Sequence, residues 1–136
     1  MSELSKQESL VHLTNKNGRV EFEINQDAIK TLSEGVVIGD LYGYISDASD
    51  ITLKILGVKD KSELVGKHVL ELLVKEEKTR AVKNSLASIT NNQEMTQKYR
   101  VSLKSGEEAE LEVTTTLMKD EQGQNVGFID FIRKIE

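Results

Sequence analysis

Cysteine, proline and tryptophan are absent from this 136-residue chain, and aromatic residues make up only 4% of it. Without cysteine there is no disulfide framework, thiolate zinc site, cysteine nucleophile or flavin–cysteine adduct. Without proline, Gly, Asn and Asp must make the turns. No run approaches the roughly 18 apolar residues that span a bilayer, and the opening MSELSKQES lacks the basic-then-apolar order of a signal peptide. A cytoplasmic protein is expected. The formal net charge of -5, with both signs interspersed, argues against nucleic acid and anionic membrane as partners. Few aromatics also leave little surface on which bases could stack.

What is present fits one domain. After a polar N-terminus expected to fray, Leu10, His12, Val20, Phe22 and Ile24 alternate with polar neighbours around Asn15-Lys16-Asn17-Gly18. That pattern predicts a β-hairpin packed on the domain or on a second copy of it. Asn25 is placed to cap a short helix to Leu32, with Ala28, Ile29 and Leu32 inward, ending at Gly35. Val36 to Leu41 and Tyr44 to Ser46 read as a strand pair about a Tyr42-Gly43 turn. From Asp47 the period becomes helical through Ala48, Ile51, Ile55 and Leu56, with Gly57 as the stop. Asp60 can cap a turn that stops at Gly66, and an apolar segment runs from His68 to Val74.

Lys75 to Asn91 carries the longest helical pattern, with Val82, Leu86 and Ile89 on one stripe and charges elsewhere. Three strands follow, one with Ala109, Leu111, Val113, Thr115 and Leu117 on a single face and the last running from Val126 to Ile132; turns at Lys104-Ser105-Gly106-Glu107 and Asp120 to Gln124 join them into an antiparallel meander. The order predicts an α+β fold, an antiparallel sheet of about five strands with short helices on one face. Residues 1–24 form an N-terminal extension, and 25–136 the domain proper.

The stretches GVVIGDLYGYI, DASDITLKILGVKDKSELVGKHVLELL and YRVSLKSGEEAELEVTTTLMKDEQGQNVGFIDFIRKI, in that order and spacing, resemble the opening strand pair, the helical middle and the closing meander of a PAS domain. The resemblance covers roughly three-quarters of the chain. Gly57, Gly66, Gly106 and Gly123 fall where elements end and a positive φ is cheap. Where many relatives carry an aromatic and then Ala-Asn-Pro, this chain has Asp47-Ala48-Ser49-Asp50; Ser49 can still cap a helix, but the amide that ties neighbouring loops is missing. At the exit, Arg133-Lys134-Ile135-Glu136 replaces the Arg-Asp-Ile-Thr of relatives that drive an output helix.

The resemblance implies a sensor or interaction module of signal transduction, not an enzyme. Its cavity lies between sheet and helices. Val82, Leu86, Tyr99, Val113 and Leu117 are the expected apolar walls, and Thr115 and His68 the polar contacts. No cofactor is evident: EEKTRAVKNSLASIT lacks the helix-borne histidine of haem-binding relatives, and no metal-ligand cluster, Gly-x-Ser-x-Gly turn or phosphate loop occurs. The expected partners are a second copy of the chain, paired through the sheet face with help from Leu10 to Ile24, a kinase, regulatory protein or adjoining domain, and a small-molecule ligand. The alternative is a haem- or flavin-binding fragment of a histidine kinase or transcription regulator.

Overall fold

The computed structural model describes residues 9–30 and 32–135, so the expectation for the N-terminal residues lies outside the described ones. Strand β1 (Val11–Lys16) pairs antiparallel with β2 (Arg19–Ile24) as a hairpin, from Lys16 opposite Arg19 to Val11 opposite Ile24. Asn17 and Gly18 both take positive φ, 54° and 80°, the paired left-handed geometry of a two-residue turn whose twist matches its strands. The parity of the first arm differs from expectation. Val11 and Leu13 face the domain with Phe22 and Ile24, whereas His12 and Val20 are exposed.

A one-turn helix α1 (Gln26–Ile29) follows. Asn25 does not cap it through its side chain; its amide donates to the Ser9 carbonyl instead. Strand β3 (Gly35–Asp40) then pairs with β4 (Ile45–Ala48). β4 runs further than predicted because Val37 pairs with Ala48 and the Ser49 amide donates to the Val36 carbonyl, which holds Ala48 in the sheet and starts α2 (Asp50–Leu56) later. Ser49 caps α2 as expected, accepting from the Thr52 amide, and Gly57 ends it at φ 76° with its N–H on the carbonyls of Leu53 and Lys54. The missing amide tie has substitutes. The Asp47 carboxylate, buried, accepts from the Ile24 backbone N–H and from Lys61, while Ser49 Oγ accepts from the Val36 N–H.

Short 3-10 turns at Lys61–Glu63, Val69–Leu72 and Lys75–Glu77 lead into helix α3 (Lys78–Asn91). The meander is β5 (Met95–Ser102), β6 (Glu108–Lys119) and β7 (Asn125–Ile135). β3 to β7 form one antiparallel sheet in the order β4-β3-β7-β6-β5. β3 and β7 approach closely at Gly39 and Gly127, where a side chain on Gly127 would meet the Gly39 carbonyl.

The sheet separates two cores. On its outer face Val36, Ile38, Met118, Ile129 and Phe131 pack beneath Val11, Ile24 and Ile29. On its inner face Val37, Ile45, Val101, Leu111, Phe128 and Ile132 pack against Leu56, Leu64 and the 3-10 turns. The hairpin therefore lies, with α1, against the chain's own sheet, on the face opposite α2 and α3.

Candidate functional site

On the inner face the packing is incomplete. A cavity of about 100 Å³ opens between the sheet and the segment from Val69 to Ser85. Its floor is Val37 of β3, Tyr99 and Val101 of β5, Leu111, Val113 and Thr115 of β6, and Asp130 and Ile132 of β7; its roof includes Val69, Leu72, Leu73, Ala81 and Ser85. A wider depression of about 240 Å³, lined by Leu41, Tyr42, His68 and Val82, shares Thr115, Ser85 and Asp130 with it. These shared residues stand where the inner space meets its mouth.

Sheet register puts the polar pair together. Thr115 and Asp130 are directly opposed across β6 and β7, so both side chains leave the same face. The Thr115 hydroxyl donates to Asp130 Oδ1 at 2.6 Å. The surface that Asp130 retains belongs to the cavity wall, and the carboxyl is withdrawn from bulk water. Burial therefore pushes its pKa up to about 7, against the smaller opposing effect of the Thr115 hydrogen bond.

Helix α3 stands over this floor on polar tethers. Glu77 accepts from the Arg100 N–H at 2.8 Å and from Arg80 at 2.9 Å, which holds its carboxyl below the usual range, and Arg80 also reaches the Lys98 carbonyl. The Arg80 guanidinium lies 4.5 Å from the centre of the Tyr99 ring, and Asn84 donates to the Tyr99 hydroxyl at 2.8 Å. These contacts turn Ala81 and Ser88 inward. The predicted stripe of Val82, Leu86 and Ile89 consequently faces outward, with 43, 60 and 39% of each residue exposed.

His68 has a structural position. Its Nδ1 accepts from the Leu70 N–H, capping the 3-10 turn, and its Nε2 lies 2.6 Å from the Tyr42 carbonyl. The neutral tautomer protonated at Nε2 satisfies both contacts. Tyr44 meets the ring edge-on at 5.0 Å, and Gly43, at φ 95°, leaves it room.

Of the residues predicted to line the cavity, Tyr99, Val113 and Thr115 do so, and His68 and Val82 border the mouth. Leu86 points to solvent, and Leu117 is buried but is not among the residues lining either space. Asp130 and Ser85 were missed. The signal for Asp130 was a lone acid in Val126-Gly127-Phe128-Ile129-Asp130-Phe131-Ile132, at the same parity as Phe128 and Ile132.

The PAS fold family model matches residues 23–135. Among solved structures, the PAS domain of a protein from Colwellia psychrerythraea is similar over 80% of this chain and 92% of its own, at 23% identity and a TM-score of 0.74. The Drosophila melanogaster Cycle PAS-B domain with bound ethylene glycol matches over 74% of this chain and 99% of its own, at 14% identity and a TM-score of 0.67. The LOV domain of the blue-light photoreceptor Aureochrome1 matches over 81% and 88%, at 19% identity and a TM-score of 0.67. At these identities the structures speak for the fold. No curated protein sequence matches the chain.

Proposed function

The chain belongs to the PAS family of sensor and signalling modules, and we propose that it senses a small organic molecule held in the cavity over Thr115 and Asp130. The observation that carries this reading is the half-buried carboxyl on the cavity floor. A core built only for stability would fill the space and avoid an ionisable group there, whereas a binding site combines apolar walls with one or two placed polar groups. A PAS-B domain of the same fold holds ethylene glycol, a ligand on the scale of this cavity.

Haem and flavin do not fit. The inner cavity of about 100 Å³ falls short of the roughly 300–1,000 Å³ of pockets that hold ligands of that size, and both ring nitrogens of His68 are already engaged. Tyr99, Val113, Thr115 and Asp130 are the proposed ligand contacts, with His68 and Val82 at the mouth. Leu41, Tyr42 and Val82, exposed at that mouth, would carry the effect of occupancy to a partner protein or domain. Homodimerisation belongs to the same proposal. Because the hairpin covers its own outer face, a second copy would meet the hairpin's outward side, not the apolar sheet beneath it.

The reading is tested on freshly purified chain by native mass spectrometry, followed by a small-fragment screen read from NMR shifts of the cavity-wall residues. Retained mass, or fragments that shift Val113, Thr115 and Ile132, is the expected result. A clean mass together with unmoved wall resonances across the screen would overturn it.

A further inference from the structure

We propose that the cavity takes a small organic cation, a compact apolar body bearing one protonated amine, with its ammonium against the Asp130 carboxylate. This rests on the cavity being a ligand site and adds the ligand's charge. Asp130 is the acid in the inner wall, and among the described residues that wall holds no lysine, arginine or histidine. The mouth adds His68, whose two nitrogens are spent on Leu70 and Tyr42. Tyr99, the other titratable group in the wall, turns its hydroxyl to Asn84. Of the two carboxylate oxygens, Oδ1 takes the Thr115 hydrogen bond, and Oδ2 accepts none from the described residues. Once ionised, as it is for the most part at pH 8, the carboxylate therefore faces a largely apolar wall with no cationic side chain among the described residues that line it.

That arrangement is unfavourable for the empty protein and favourable for a cationic guest. Attraction between unit charges grows as the surrounding dielectric falls, and an ammonium brings three donors for Oδ2 and the neighbouring hydroxyls of Thr115 and Ser85. A metal ion suits the site poorly: one carboxylate and neutral hydroxyls fall short of the six or more oxygens that calcium takes, and no group of three metal-ligating side chains occurs among the described residues. The volume sets the body's size, since a cavity of about 150 Å³ accepts benzene and this one measures about 100 Å³. A branched four-carbon amine is of that order.

The test uses the full chain at pH 8 with three probes of one shape, isobutylamine, isobutanol and isobutyrate, titrated while the resonances of Tyr99, Val113, Thr115 and Ile132 are followed. Isobutylamine should bind at least about tenfold more tightly than isobutanol, and Asp130→Asn should bring the amine down to the alcohol's level without weakening the alcohol. In the unsubstituted protein, saturating amine should lower the Asp130 midpoint, read from its carboxyl ¹³C shift, by about one pH unit, the same tenfold seen from the other side; that readout stands even if the variant does not fold. Equal binding of amine and alcohol, or tighter binding of isobutyrate, would overturn the cation assignment while the cavity remained a ligand site. Failure of all three to move any wall resonance would overturn both.

Discussion

The two faces of one sheet are packed to different ends. On the outer face Val36, Ile38 and Met118 have no accessible surface, and the hairpin closes over them with Val11 and Ile24. The inner face carries its own apolar cluster, yet leaves a cavity of about 100 Å³ with a carboxyl in its floor. Close packing is the ordinary condition of a protein interior. If the dense face carries more of the fold's stability, the second can be left loosely filled at small cost.

The largest effect should come from breaking the dense face. Ile38 faces Ile129 across β3 and β7 and is wholly buried, so Ile38→Ala should cost about 3–4 kcal/mol through lost burial and a cavity that neighbours cannot refill. Val113 already borders empty space, and Val113→Ala should cost about 1–2 kcal/mol, at the low end for core truncations. Urea unfolding of both variants measures the difference. Equal losses would mean that the faces share the load evenly.

The next effect tests the loose face and has a sign that depends on pH. The Asp130 carboxyl is held at about 7 in the folded chain against an ordinary value of 3.8. The folded state therefore binds more protons than the unfolded one between these values, and the stability associated with protonated Asp130 is complete below about pH 4 and lost as pH rises through about 7. The groups around it are Thr115, Tyr99 and, at the mouth, His68. Asp130→Asn removes the ionisation. It should stabilise the chain by about 2–3 kcal/mol at pH 8 and by almost nothing at pH 4. A variant no more stable at pH 8 than at pH 4, relative to the unsubstituted chain, would show that the carboxylate is well solvated.

The elements could be read from the sequence better than the way they pack. Hairpin, meander and helix stops announce themselves locally, through Asn17-Gly18, the alternation from Ala109 to Leu117 and the glycines at element ends, all at positive φ. The hairpin's inward parity could not be read in the same way, since Leu10 and Val11 are adjacent apolar residues and both end up buried. The cavity depends on pairings between distant residues. Asp130 becomes significant only when the β6–β7 register places it opposite Thr115. The orientation of α3 is set by Glu77, Arg80 and Asn84 reaching partners 15–23 residues away, and no periodicity within the helix contains that information.

The smallest effects separate those tethers from the apolar stripe. Val82, Leu86 and Ile89 recur at the spacing of a buried helix face, and a helix docked by that stripe would lose about 2–5 kcal/mol on Leu86→Ala. With Leu86 60% exposed, the expected loss is within about 0.5 kcal/mol. Glu77→Gln, on the polar side, should cost about 1–2 kcal/mol, because a charged acceptor shared by the Arg100 N–H and Arg80 is replaced by a weaker neutral one. Hydrogen exchange supplies the second measurement: Glu77→Gln should speed exchange in α3 while leaving β3 and β7 protected, and Leu86→Ala should leave all three unchanged. If Leu86→Ala proved the more damaging, the helix would be held to the sheet by its apolar stripe after all, and the inner face would be no looser than the outer one.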